Sequence, residues 1–197
     1  MNWNKQNPYL AKIISKKLLS GKQSNKEVFH YEISLGDSGI IYQPGDSLGI
    51  FPVNNNTLVR AIINRLQINP TYIPKGFDLN IYDLLEKKFE ILTPTNRLIK
   101  FVNDNINHNA LNHSLATKNK NTLTDFKYGK DVLDFMNLDE NLKFDVLHFL
   151  TLLKPLQHRA YSIASSNLIF KNSVHLIVST QRWQKKTRDY GGVCSTF

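Results

Sequence analysis

The feature that most constrains this chain is a change of hydrophobic period part-way along it. From Asn54 to about Leu153 the apolar residues recur at helical spacing. In "NNNTLVRAIINRL", Leu58, Ile62 and Leu66 fall four apart on one face, behind an Asn-rich capping region. On both sides of that stretch the apolar residues form short β-type runs bounded by turn signals. The chain therefore reads as strands, a helical insertion and strands again. Insertions at loops cost little closure entropy, so the two β parts are expected to form one antiparallel barrel. The expected fold class is mixed β and α, with residues 1–53 and 155–197 as a discontinuous β-barrel and 54–154 as an all-helical domain.

The N-terminal β part runs "YLAKIISKKLL", then "VFHYEISL", the turn signal "GDSG", and "IIYQPGDSLGIFPV", two apolar runs broken by "QPGD". Pro44 presets φ, Gly45 is free to take positive φ and Asp46 can bond back to the backbone, so a tight turn is expected there. In the helical part, "NIYDLLEKKFEIL" repeats the first pattern, and "TPTNRLIKFVNDNI" offers Thr93 as a cap with Pro94 in the first helical position. "DVLDFMNL" and "NLKFDVLHFLTLL" follow, whereas the Asn- and Lys-rich "NINHNALNHSLATKNKNTL" reads as a loosely held surface segment. After Pro155 come "RAYSIASS", "SVHLIVSTQRW", the polar connection "QKKTRDY" and "GGVCSTF".

A hydrophobic fraction of 41% against 21% charged residues belongs to a globular chain rather than a disordered one. The net charge of +9, from 25 basic and 16 acidic residues, allows phosphate, nucleic-acid or acidic-protein attraction. The lysines are scattered and lack regular aromatic interleaving, so most of this charge is read as a solvated surface. The apolar run "VLHFLTLL" is too short to cross a membrane, and the first residues hold no apolar signal core. A single cysteine, Cys194, excludes an internal disulfide and suits a reducing compartment. A cytoplasmic protein that binds neither nucleic acid nor membrane is the expectation.

The residues with chemistry to offer cluster late in the chain. Arg159, Tyr161 and Ser162 supply a charged fork, an aromatic face and a hydroxyl, suited to a flat phosphorylated ligand. By themselves they also fit an edge-strand ion pair beside a core tyrosine. In "GGVCS", Gly191 and Gly192 permit close backbone approach, and if a helix begins there its free N–H groups would make an anion site; a plain flexible turn is the other reading. Cys194 has no histidine with an acidic partner to activate it, so it reads as structural or ligand-lining. His108 and His113 lie in a polar segment with no Cys or carboxylate pair to complete a tetrahedral set, so no metal centre is expected. Neither a P-loop nor "GxGxxG" occurs.

Taken in order, "GDSGIIYQPGDSLGIFPVNN", "RAYSIASS" and "GGVCSTF" resemble the FAD-binding, ferredoxin reductase-like module of the diflavin reductases, with its sulfite-reducing branch nearest in pattern. The likeness covers nearly the whole chain, the helical insertion matching that family's connecting region. It implies FAD as cofactor, with Arg159 on the pyrophosphate, Tyr161 against the isoalloxazine or ribityl chain, Ser162 near flavin N5, and Ala160 between them. It also implies backbone contacts from Ile177, Val178 and Ser179, and a stacking role for Trp183 where the family often has tyrosine. Gly191, Gly192, Val193, Cys194 and Ser195 match the loop that caps the pyrophosphate.

The activity implied is that of an NADPH-dependent flavoprotein oxidoreductase, electrons passing from NADPH to FAD to FMN. The partners implied are an FMN-binding flavodoxin-like domain and the sulfite reductase hemoprotein. On this resemblance the NADPH and FMN domains and the last barrel strand are expected to be missing from the chain, leaving it inactive alone and with an exposed strand edge. Reduction of another acceptor such as a cytochrome P450, or a non-catalytic basic module for anions or nucleic acid, are the alternatives.

Overall fold

The computed structural model, which describes residues 3–117, 120–185 and 188–196, divides into two units: residues 1–51 with 158–197, and residues 52–157. In chain order the first unit opens with β1 (Lys12–Leu18), β2 (Val28–Ser34) and β3 (Ser47–Ile50). The second holds α1 (Asn56–Leu66), α2 (Ile81–Lys87), β4 (Phe89–Glu90), α3 (Asn96–Asn105), α4 (Asn109–Ala116), α5 (Lys120–Lys127), α6 (Val132–Met136), α7 (Val146–Leu152) and β5 (Lys154–Pro155). The chain then returns to the first unit with β6 (Arg159–Ser162), β7 (Ser173–Ser179), β8 (Arg182–Lys185) and β9 (Arg188–Gly191).

The helices begin where a short polar side chain can accept an otherwise unpaired N–H of the first turn. Asn55 accepts from Leu58 N, Asn80 from Asp83 N, and Asp145 from His148 N. Asp131 and Asp134 exchange bonds with each other's backbone N–H at 3.0 and 2.8 Å, a reciprocal cap for the short α6. The core of this unit packs Val59, Ile62 and Ile63 of α1 with Phe135, Met136 and Phe149. The half-buried Arg65 ties three turns together, its guanidinium donating to the carbonyls of Met136, Asp139 and Leu142 at 2.8–3.0 Å.

Two expectations for the helical part are corrected. The cap of α3 is Thr95, two residues beyond Thr93: its hydroxyl accepts from Leu98 N and donates to the Leu152 carbonyl, so Pro94 precedes the helix. The Asn- and Lys-rich segment is helical, as α4 and α5, because Leu111 is fully buried and His108 Nδ1 caps α4 by accepting from Leu111 N. Lys118 and Asn119 fall outside the described residues.

In the first unit the expected barrel is not found closed among the described residues. The strands form an antiparallel sheet ordered β1–β2–β7 and separate ribbons β3–β6 and β8–β9. A single bridge, Ile163 to Leu176, joins the β3–β6 ribbon to the sheet, and all seven residues of the edge strand β1 are exposed. The core of this unit is Tyr31, Ile33, Leu35, Tyr42, Ile163, Val174, Leu176 and Val178.

The "QPGD" turn forms with Gly45 at φ +92 and Asp46 N donating to Gln43 O; Asp46 Oδ2 in turn accepts from Gln43 N. Of the two runs it separates, only the second is a strand. Ile40–Tyr42 stays irregular because Tyr42 is drawn into the core. "QKKTRDY" is not a plain connection but the body of a hairpin, Trp183 pairing with Tyr190; Lys186 and Thr187 lie outside the described residues. "GGVCSTF" is not a strand beyond Gly191: residues 193–196 form a turn folded back on β9.

Candidate cofactor site

Strand alternation divides the "RAYS" residues between two faces. In β6, which pairs with β3 so that Ile50 meets Arg159 and Leu48 meets Tyr161, Arg159 and Tyr161 are half-buried while Ala160 and Ser162 are exposed. Tyr161 packs against the core of its unit and its hydroxyl is hydrogen-bonded to Cys194. Burial first, and that hydrogen bond second, push the Tyr161 phenol well above its ordinary range; the Arg159 charge opposes them. Burial likewise raises the Cys194 thiol, against the lowering influence of the Tyr161 bond and the Arg159 charge. Two stretches distant in sequence thus meet as one cluster of Arg159, Tyr161 and Cys194. Ser162 and Ala160 stand on the other face of the same strand.

The turn carrying Cys194 is built by its neighbours. Gly192 N donates to Gln181 O at 2.9 Å, and the buried Ser195 Oγ accepts from Gln181 N at 3.1 Å. Thr196 N closes the turn on Gly192 O at 3.2 Å. Neither glycine has room for a side chain: a Cβ on Gly191 would lie 2.6 Å from Thr196 Cγ2, and one on Gly192 would lie 2.6 Å from Ser195 Oγ. The close approach expected at these glycines is therefore made first by the chain's own turn. Among the described residues, the N–H groups of Val193, Cys194 and Ser195 have no acceptor. Three adjacent backbone donors beside an arginine are the donor set that a pyrophosphate requires.

The remaining expected residues are placed less centrally. In β7 the Val178 side chain is buried in the core, whereas Ile177 and Ser179 are exposed on the opposite face. Trp183 stacks on Tyr190, with ring centroids 5.6 Å apart and planes 10° apart, and the Arg188 guanidinium lies 4.8 Å over the Tyr190 ring. Tyr190 escaped the sequence reading, although its place opposite Trp183 in a polar hairpin was a usable signal.

So did Tyr42 and Ser165. The Tyr42 hydroxyl lies 2.6 Å from Ser165 Oγ and donates to Ser173 O at 2.9 Å, while Ser165 Oγ accepts from His175 N at 3.0 Å. Ile163 N donates to Asp46 O at 2.8 Å. The letters of "YQPGD" and "SIASS" outside the cluster thus serve to hold β6 against the turn before β3. Cavities of about 360 Å³ along α3 and about 260 Å³ beside Tyr42 are not lined by Arg159, Tyr161 or Cys194, so convergent side chains rather than cavity size define the site.

The sequence matches a family model described as "FAD binding domain", over residues 1–104 and 79–197. The chain belongs to the FAD-binding domain family. Its cofactor is FAD. The chain is similar to sulfite reductase [NADPH] flavoprotein alpha-components. It is 30% identical to the one from Bacillus subtilis (strain 168) over 198 residues, covering 98% of this chain and 33% of the relative. It is 31% identical to the one from Mannheimia succiniciproducens, covering 100% and 33%. With the Vibrio parahaemolyticus protein it shares 32% over 98% of this chain and 31% of the relative. The chain spans about a third of the length of these curated relatives. No helix among the described residues is long and apolar enough to cross a membrane, and no group of three or more His, Cys, Asp or Glu could hold a metal ion.

Proposed function

We propose that this chain is the FAD-holding part of an NADPH-dependent sulfite reductase flavoprotein. The single observation that carries the site is the meeting of Arg159, Tyr161 and Cys194 beside three backbone donors that have no acceptor among the described residues. In this reading Arg159 and the N–H groups of Val193, Cys194 and Ser195 grip the pyrophosphate. Tyr161, held by Cys194, lies against the flavin, and Ser162 reaches flavin N5 from the end of β6. Gly191, Gly192 and Ser195 shape the turn, and Trp183 offers a stacking face. Backbone contact from Ile177 to Ser179 and beside Ala160 completes the set. Bound FAD supplies the redox chemistry, while the chain's share is orientation and charge.

The first unit is the FAD-binding domain, of the ferredoxin reductase barrel type, and residues 52–157 are the connecting domain. In the whole cytoplasmic protein electrons run from NADPH through FAD and FMN to the acceptor, the sulfite reductase hemoprotein, the FMN carried on a flavodoxin-like domain. The names and coverage of the relatives support this reading. The test is an absorbance spectrum after adding FAD and removing the excess. A perturbed flavin spectrum, lost in Arg159→Ala, is expected; a protein that retains no FAD even when extended beyond Phe197 would overturn the assignment of the site.

A further inference from the structure

The outer face of the first unit's sheet carries a second cluster of side chains with chemistry to offer. In β2 and β7, Tyr31, Ile33, Val174, Leu176 and Val178 turn to the core and His30, Glu32, His175 and Ile177 to the opposite face. The register sets Glu32 opposite His175 and His30 opposite Ile177, so the two imidazoles are diagonal neighbours. His30 Nε2 and His175 Nδ1 are 3.2 Å apart, with ring centroids 4.9 Å apart and planes crossing at 77°. The other nitrogen of His175, Nε2, is 3.4 Å from Ser173 Oγ and 3.7 Å from Glu32 Oε1. The His175 side chain is only 12% exposed, and the Phe170 ring covers it at 4.1 Å.

We propose that His30 and His175 form a two-imidazole site for a divalent transition-metal ion of the zinc, nickel or copper kind. His30 binds through Nε2 and His175 through Nδ1. Two imidazole nitrogens bound to one tetrahedral ion at about 2.0–2.1 Å stand roughly 3.3–3.4 Å apart, close to the separation already present. A straight N–H···N bond would hold the centroids about 5.5 Å apart. The shorter separation shows that the two nitrogens do not point straight at each other, which is compatible with two ligands of a common centre. Ser173 Oγ, 3.4 Å away, accepts from Nε2–H of His175, which leaves Nδ1 as the bare lone pair, and the Glu32 carboxylate stands behind the same ring at 3.7 Å; a carboxylate behind a ligating imidazole is the usual outer support. Imidazole donors select these borderline ions over calcium or magnesium.

Without the ion, the same position holds the proton of His30 Nε2, shared with His175 Nδ1; binding moves that proton to His30 Nδ1. Since no third His, Cys or carboxylate joins among the described residues, water completes the coordination. Lys17 and Ser15 of β1, opposite His30 and Glu32 in the register, complete the polar surroundings, and the Lys17 charge keeps the affinity below that of a closed site.

The test is a calorimetric titration of the untagged protein with zinc chloride near neutral pH in a non-coordinating buffer. One saturable site per chain is expected, weakened by about tenfold or more in His30→Gln and in His175→Gln. A His108→Gln/His113→Gln double variant should bind like the parent. Far-UV circular dichroism checks the variants' folding, and should His175→Gln unfold, the half-exposed His30→Gln decides. Absence of saturable binding below about 0.1 mM, or binding that survives in His30→Gln, overturns the proposal.

Discussion

Removing one oxygen, in Tyr42→Phe, tests how the cofactor strand is held. The ring is buried in the core of the first unit and stays in the variant, so the packing contribution is nearly unchanged. What disappears is the hydroxyl that donates to Ser173 O and meets Ser165 Oγ at 2.6 Å. Ser165 keeps its bond from His175 N and can redirect its own proton, so one buried carbonyl, that of Ser173, bears most of the loss. Leaving one buried acceptor unpaired costs about 1–3 kcal/mol, and we expect about 2 kcal/mol here. At a urea dependence of about 2 kcal/mol/M the midpoint falls by about 1 M.

Both tryptophans, Trp3 and Trp183, lie in the first unit, so their emission follows the unfolding of that unit and not of the helical one. Combining Tyr42→Phe with Ser165→Ala should give less than the sum of the single effects, with a coupling of about 0.5–3 kcal/mol. A midpoint unchanged within about 0.2 M, or strict additivity in the double variant, would refute the role assigned to this bond. FAD retention should fall together with stability, because the same bond positions β6.

Other consequences are open to direct measurement. Arg159→Ala should lower FAD affinity by about 10- to 100-fold, the worth of a lost charge-assisted contact, in an equilibrium fluorescence titration. Gly191→Ala drives a Cβ to 2.6 Å from Thr196 and should cost about 1–3 kcal/mol of stability, with loss of FAD retention if the 193–195 turn is displaced. Asp131→Ala removes the reciprocal cap of α6 and should destabilise the helical unit by about 1 kcal/mol in a circular dichroism melt, with tryptophan emission of the first unit unaffected. Because burial raises Cys194 above its ordinary 9.0, the thiol stays protonated at pH 8, and its alkylation should be slower than that of free cysteine and speed up in urea. The same raised groups, Cys194 and Tyr161, contribute stability that is fully present below pH 9; it should be lost as pH rises further, because the unfolded chain releases these protons first.

What the sequence determined by itself is what depends on near neighbours in the chain. Asn55 ahead of an i, i+4 apolar face starts α1, and Pro44, Gly45 and Asp46 enforce their turn through φ preferences and one side-chain bond. The three blocks in their order likewise carried the family, because a cofactor site is written in short runs of residues. Local rules misjudged the Asn- and Lys-rich stretch, whose helices are secured by burial of Leu111 in a core assembled from other segments. They also could not say whether the β parts close, since strand pairing is a contact between distant residues.

Only the tertiary structure decided that Cys194 meets Tyr161, that Tyr42 is tied to Ser165, and that His30 faces His175 across two strands. It also showed that the alternation of β6 gives Arg159 and Tyr161 one face and Ser162 the other. Such meetings are set by register and by which face the core claims, and a shift of one residue in pairing would reverse each of them.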